Sequence, residues 1–268
     1  MKGKFYFVAT PIGNLQDFSE RQVETLNNVD IILCEDTRNS LKLLNNFNIK
    51  KQLLSFHKFN YSKMLPVVEQ SLLEGKNIAL ITDAGMPCIS DPGSEIIEML
   101  NENDIEYTVV SGVSAFLNAF VLSGFKAPFT FIGFLPEKNK DKKTLMNEIC
   151  SYASTLIFYS SVHNIDEDLA YLFSKLGDRN IFIARELTKL HEDKVFSTLE
   201  KGYDGVKKGE FVIVVEGKNK DEENNLSVDE MYEYYLNLGY SKNEAIKLVA
   251  KEKNVSKNEI YSYIIKRE

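Results

Sequence analysis

Cysteine is scarce and badly spaced for structural chemistry. The three present, Cys34, Cys88 and Cys150, lie far apart, and no Cys-x-x-Cys pair occurs. An odd, scattered set excludes a disulfide framework or a zinc ribbon and points to a reducing, cytoplasmic setting. The three histidines, His57, His163 and His191, are equally dispersed, so no metal site is expected. No apolar run approaches the roughly 20 residues a helix needs to cross a bilayer, which argues against a membrane protein. The opening Met1–Thr10 has two lysines and then a short apolar run, which reads as a first strand rather than a signal peptide. Basic charge is not in excess. With 32 Lys and Arg against 39 Asp and Glu, the net charge of −7 excludes a uniformly basic nucleic-acid binder but permits a local basic surface. Nor does a G-x-G-x-x-G follow the first strand; Gly13 stands alone, which weakens a dinucleotide-binding reading.

What is present is an ordinary soluble composition, 44% hydrophobic and 26% charged, over 268 residues, enough chain for two cores. Short apolar runs at Phe5–Ala9, Val29–Leu33, Leu53–Phe56, Ile78–Ile81 and Tyr107–Val110 alternate with helical patterns. That alternation predicts a mostly parallel sheet with helices on both faces, whose loops converge on one edge. The longest of these loops organises the rest. From Thr82 to Gly93 the chain carries two Asp, two Gly, two Pro and a Ser, twelve residues where such connections usually run about 2–6. Gly85 allows close backbone approach, and Pro87 and Pro92 stiffen the loop. Asp83 and Asp91 read as loop-shaping residues that bond backbone amides. Three more strand ends are polar or small: Thr10-Pro11-Ile12-Gly13-Asn14-Leu15, Cys34-Glu35-Asp36-Thr37-Arg38 and Ser111-Gly112-Val113-Ser114-Ala115. Ser19 and Gln22 form a capping box for the helix after the first of these.

The pattern restarts near Ser123–Pro128, so the expected domains are 1–123 and 124–217. The second has strands at Phe129–Leu135, Thr155–Tyr159, Ile181–Ala184 and Phe211–Val215, helices near 165–176 and 201–207, and a charged connection from Arg185 to Asp193. Few helices for its strands suggest a mixed sheet. Lys138, Lys140, Lys142 and Lys143 cluster in it. A polar linker, 218–225, leads to a trihelical unit, 226–268, with capping boxes at Ser227/Glu230, Ser241/Glu244 and Ser256/Glu259. Its last two helices resemble a helix-turn-helix, but its charges balance, leaving a nucleic-acid reader and a structural or protein-contacting unit both open.

The segments Val8–Leu15, Cys34–Arg38, Ser55–His57, Thr82–Gly93, Phe131–Pro136 and Glu186–Glu192 together resemble the bacterial small-subunit (16S) ribosomal RNA cytidine 2′-O-methyltransferases, a branch of the tetrapyrrole methylase superfamily. The first and fourth carry most of the specificity, and the trihelical unit fits the RNA branch rather than the porphyrin or cobalamin branch. The resemblance implies a two-domain α/β fold, S-adenosylmethionine as methyl donor and usually a homodimer. It places donor contacts on Pro11 and Gly13, on Asp83, Ala84, Gly85 and Pro87, on Ser111, Gly112, Ser114 and Ala115, and on Phe134 from the second domain. There are departures. Lys58 and Phe59 stand where the family has Glu and His, and Tyr159-Ser160-Ser161-Val162-His163-Asn164 stands for Tyr-Glu-Ser-Pro-His-Arg. Ser111-Gly112-Val113 stands for Pro-Gly-Pro, and Met86 replaces the commoner Thr.

A ribose 2′-hydroxyl attacks a methyl sulfonium readily only as its proton is withdrawn, so a base in hydrogen-bond reach is expected. Candidates are Glu35, Asp36, His57, Asp17 and Glu186, with the Glu35/Asp36 pair beside Arg38 preferred because a strand end holds it rigidly. The competing reading of Glu35, Asp36 and Arg38 is a structural ion-pair network, and that of His57 a structural strand-end residue. Arg38 reads as a phosphate contact or as the partner of Asp36. Lys138, Lys140 and Lys189 are candidate RNA-phosphate contacts, and the alternative for a lysine run is a solvated face. A small-subunit ribosomal RNA or particle is the expected partner. The rival functions are a tetrapyrrole C-methyltransferase and a non-catalytic ribosome- or nucleic-acid-binding factor.

Overall fold

The computed structural model describes residues 1–90, 93–218 and 227–266. Asp91 and Pro92 of the long loop, and most of the expected linker, lie outside the described residues. The chain forms two compact units. One comprises residues 1–122 with 184–194 and 209–212, and the other 123–183, 195–208 and 213 onward.

The first unit holds a five-stranded sheet in the order β3-β2-β4-β1-β5, where β1 is Phe5–Val8, β2 Ile31–Cys34, β3 Gln52–Ser55, β4 Ile78–Leu80 and β5 Tyr107–Val110. Every neighbouring pair is parallel, for example Phe5 beside both Ile78 and Tyr107. The period of two explains why these strands read as unbroken apolar runs. Phe5, Phe7, Ile31, Leu33, Ile78 and Leu80 fill one face of the sheet, while Val8, Ile32, Cys34, Ala79 and Val110 fill the other. Helices α3 (Tyr61–Leu73) and α4 (Ser94–Glu102) cover the first face through Val68, Leu72, Ile96 and Leu100. Helices α1 (Glu20–Asn28) and α2 (Thr37–Asn46) cover the second through Leu26 and Leu44. Burying each such side chain contributes roughly 1.5–3 kcal/mol. Because all five strands run the same way, their C-terminal ends share one edge. β5 is an outer strand, followed by α5 (Ala115–Ser123).

The second sheet is mixed, in the order β6-β7-β10-β8-β9, with β6 Phe129–Phe134, β7 Thr155–Ser161, β8 Asn180–Arg185, β9 Asp193–Thr198 and β10 Glu210–Val215. Three segments here depart from expectation. Residues 139–149 form a helix, α6, and 193–198 form strand β9, whereas 201–207 is a turn rather than a helix. Gly202, at φ +68°, and Gly205 break any helix there. Helix α7 spans Ile165–Leu176.

The trihelical unit consists of α8 (Val228–Asn237), α9 (Lys242–Glu252) and α10 (Lys257–Ile265) around Met231, Ala245, Ile246, Val249, Ile260 and Ile264. The boxes at Ser227/Glu230 and Ser241/Glu244 are reciprocal; at Ser256 the hydroxyl accepts from Glu259 N. Among the described residues, no helix is long and apolar enough to cross a membrane, and no His, Cys, Asp and Glu group could hold a metal ion.

Candidate functional site

The loops after β1, β4 and β5 are stitched into one structure at the C-terminal edge of the first sheet. Thr10 and Gly85 form a two-way bridge, Thr10 N donating to Gly85 O at 2.9 Å and Gly85 N to Thr10 O at 3.1 Å. Gly85 sits at φ +84°, a conformation that glycine adopts without the penalty of a Cβ. The buried Thr10 hydroxyl donates to Thr82 O at 3.0 Å, and Ala9 N donates to Val110 O at 3.1 Å. Pro11, Ile12 and Pro87 are buried, while Gly13, Asp83, Ala84, Ser111 and Gly112 are exposed. Ser114 and Ala115, half-buried, begin α5, with Ser114 O accepting from Asn118 N. The outcome is a rim of small residues and backbone, backed by a rigid frame.

Gln22 ties this frame to α1, beyond its expected capping role. Its carbonyl Oε1 accepts from Ser19 N at 2.5 Å, and its Nε2 donates to Ala9 O at 2.9 Å. A Cβ on Gly112 would lie 2.5 Å from Gln22 Nε2 and 2.7 Å from Ala9 Cβ, so only glycine fits there.

The β2 end carries the charged residues. Asp36 is the N-cap of α2: its Oδ1 accepts from Arg38 N at 2.8 Å and from Arg38 Nε at 3.1 Å, and its Oδ2 from Arg38 Nη2 at 2.8 Å. The Arg38 guanidinium and then its backbone N–H hold the Asp36 carboxyl down at about 2, so Asp36 is a weak proton acceptor near neutrality. Arg38 is 87% exposed even while paired. Glu35 is exposed beside them, with its carbonyl accepting from Ser55 Oγ at 3.3 Å. Asn39 Nδ2 donates to Asp83 Oδ2 at 2.9 Å, joining the α2 start to the long loop; among the described residues the Asp83 carboxylate meets this side chain rather than the expected backbone amides. His57 Nδ1 accepts from Phe59 N at 3.2 Å, which leaves Nε2 to carry the ring proton. Asp17 Oδ2 is buried without a hydrogen-bond partner among the described residues.

The segment 184–194 belongs to the first unit, and it brings Lys189 to the Gly13 loop. Lys189 Nζ donates to Glu186 Oε1 at 2.8 Å and Glu210 Oε2 at 3.0 Å. Burial pushes the Glu186 carboxyl up, but the Lys189 ammonium and the Glu210 N–H outweigh it and leave it below its ordinary value. Burial likewise lowers Lys189, and the two carboxylates more than reverse that.

Phe134, Lys138 and Lys140 lie in the second unit. A bulge at Gly133, φ +79°, puts Phe131 and Phe134 on the same face as Tyr159, with ring centroids 5.0 and 5.4 Å from it. Phe134 remains 58% exposed. Lys138 caps α6 and Lys140 lies in its first turn, both exposed; Lys142 turns inward to Glu167 at 3.4 Å and to the Tyr171 ring. At Ser160, where the family pattern has glutamate, the hydroxyl donates to buried Asp168 at 2.6 Å. Sequence reasoning missed Gln22, Asn39 and Thr188 as parts of the site frame. Gln22 carried a signal in its capping spacing and Thr188 in its place within the Glu186–Glu192 segment; Asn39 carried none.

A parallel α/β sheet with small-residue loops gathered at its C-terminal edge defines a ligand-binding protein of the open-sheet class. The chain belongs to the tetrapyrrole (corrin/porphyrin) methylase family, whose model matches residues 4–201. It is 40% identical over 272 residues to the ribosomal RNA small subunit methyltransferase I of Halalkalibacterium halodurans, covering 97% of this chain and 94% of that protein. The Bacillus subtilis protein of the same name is 38% identical, covering 99% and 95%. Among solved structures, the uroporphyrin-III C-methyltransferase of Thermus thermophilus aligns with a TM-score of 0.58 at 15% identity, covering 80% and 94%. A cobalt precorrin-4 methyltransferase aligns at 0.55 and 17%, covering 79% and 94%. These two likenesses bear on the fold alone.

Proposed function

We propose that this chain uses S-adenosylmethionine to methylate the ribose 2′-hydroxyl of a cytidine in small-subunit ribosomal RNA, in the cytoplasm. The near-full-length similarity to proteins named ribosomal RNA small subunit methyltransferase I carries the reading. The sheet edge suits the donor. At Gly112 a Cβ would collide with the frame, and at Gly85 the backbone needs positive φ, so the rim stays bare of bulky side chains. Pro11, Gly13, Asp83, Ala84, Gly85, Pro87, Ser111, Gly112, Ser114 and Ala115 would hold the donor, with Phe134 a further candidate that rests on the family resemblance alone. When bound, the donor supplies an electrophilic methyl on a sulfonium.

The chain's own task is then to orient the 2′-oxygen and take its proton. Glu35 is the best candidate base: it is exposed and sits on a rigid strand end, whereas Asp36 is committed to Arg38 and the α2 cap. His57 is second: Nδ1 is its one unprotonated nitrogen, and it would have to release the Phe59 N–H before taking a proton. Arg38 can turn from Asp36 to a phosphate, and Lys138 and Lys140, for which no ion pair is formed among the described residues, can track the RNA backbone.

A methylation assay with purified 30S particles and with free small-subunit RNA, followed by mapping of the modified nucleotide, tests the proposal. Absence of any 2′-O-methyl product on both would end it. Arg38→Ala is expected to lower RNA turnover about tenfold or more while leaving donor affinity intact, as for a lost phosphate contact; unchanged turnover would remove Arg38 from the substrate site.

We also propose the homodimer that the family resemblance implies. The outer strand β5 and α5 expose Tyr107, Val109, Leu117 and Val121, the last 76% exposed, an apolar edge suited to a second copy. Sedimentation equilibrium at micromolar concentration is expected to give twice the chain mass; a monomer mass would reject it.

A further inference from the structure

The segment from Arg185 to Glu192 is built around a conformation that side-chain-bearing residues avoid. Glu186 and Thr188 both sit at positive φ, 51° and 66°. The surrounding bonds over-determine it. Glu186 N donates to Glu210 O and Glu210 N returns to Glu186 Oε1, both at 3.0 Å; Thr188 N donates to Glu192 Oε2 at 2.6 Å. A Cβ on Gly209 would strike the Glu186 carboxylate, so glycine there makes room for it.

At the centre is Lys189. Its ammonium is tethered at two points, to Glu186 at 2.8 Å and to Glu210 at 3.0 Å, which favours one course for the stem. Its aliphatic stem runs alongside Gly13: a Cβ on Gly13 would strike Lys189 Cγ, lie 3.2 Å from its Cε and 3.1 Å from Thr188 Oγ1. That Thr188 hydroxyl is buried and has no hydrogen-bond partner among the described residues. Gly13 is not among the glycines at positive φ, so what an added methyl would meet there is steric alone.

We propose that Lys189 is a positioning residue rather than a contact to RNA phosphate: its stem is a strut against the Gly13 loop, and the Glu186 and Glu210 carboxylates lock the strut in place. The role in donor binding rests on the methyl-donor reading above; the strut itself does not. A cation already shared by two carboxylates is a poor seat for a phosphate, whereas a pinned alkyl chain is a good backstop for a loop that must keep one conformation.

The test is a double-mutant cycle on Gly13→Ala and Lys189→Ala, followed by urea unfolding, by calorimetric titration with S-adenosylmethionine, and by RNA binding across a salt series. Gly13→Ala is expected to shift the unfolding equilibrium about tenfold or more in the parent and less than about twofold once Lys189 is alanine. Lys189→Ala is expected to weaken donor binding about tenfold while the salt slope of RNA binding stays unchanged. Lys189→Met, which keeps the stem, should retain most of the Gly13→Ala penalty and stands in if Lys189→Ala fails to fold. Equal Gly13→Ala effects in both backgrounds would overturn the strut. A salt slope reduced by about one, with donor affinity unchanged, would restore the phosphate contact. If the parent binds no donor, the methyl-donor reading fails, while the unfolding cycle still decides the strut.

Discussion

Gly112→Ala is expected to weaken donor binding by more than tenfold and to lower stability by about 1–3 kcal/mol, the usual cost of forcing atoms into a packed site. The added methyl would lie 2.7 Å from Ala9 Cβ and 2.5 Å from Gln22 Nε2. Neither neighbour can yield locally. Ala9 is fixed by its own N–H to Val110 O and by the Thr10–Gly85 bridge one residue on. Gln22 is fixed at both ends of its amide. Room for the methyl must come from the turn after β5, so the loop proposed to hold the donor has to move. Gly112 does not sit at positive φ, so the backbone itself accepts alanine and the effect measures packing. Urea unfolding and calorimetric titration check it. A variant matching the parent in both would show that the rim tolerates displacement and would remove Gly112 from the donor frame.

The strands of the first unit were legible because both sheet faces are buried: alternate residues such as Phe7 and Val8 serve opposite layers, and the run stays apolar throughout. The strand order was not legible, since nothing local in β4 dictates that it inserts between β2 and β1. Helix α6 was hidden by its lysines. Its inward face includes Lys142, whose burial works only because Glu167 and the Tyr171 ring, some 25 residues on, receive the ammonium. Strand β9 was hidden by its charged start, Asp193-Lys194, and by its exposed face. At the site, the loops could be found from their glycines and prolines. Their mutual ties could not, because Thr10 with Gly85, Asn39 with Asp83, and Lys189 with Gly13 are long-range pairings. Asp36 illustrates the limit: its spacing fits a helix cap and a charged site alike, and only the Arg38 geometry shows how firmly its carboxylate is engaged.

Gln22→Met is expected to destabilise the protein by roughly 1–3 kcal/mol, more than Ser19→Ala, whose cost should be near the ~1 kcal/mol of an ordinary cap. Methionine keeps the length and fills the same space, so little of the effect comes from a cavity. What is lost is polar. The buried Ala9 carbonyl loses the donor at 2.9 Å, and an unpaired buried acceptor costs about 1–3 kcal/mol. The Ser19 N–H loses its acceptor as well, but Ser19 is exposed and water can replace that bond. The asymmetry between the two variants is therefore the informative quantity. If Gln22 acted only as the second half of a capping box, Gln22→Met and Ser19→Ala would cost about the same. If it fastens α1 to the end of β1, Gln22→Met should cost more and should also loosen the donor site, because Ala9 precedes the Thr10–Gly85 bridge. Hydrogen exchange at the Thr10 and Gly85 amides separates these outcomes: faster exchange of both in Gln22→Met, with parent-like exchange in Ser19→Ala, is the expected pattern, and equal exchange in the two variants would reduce Gln22 to a cap.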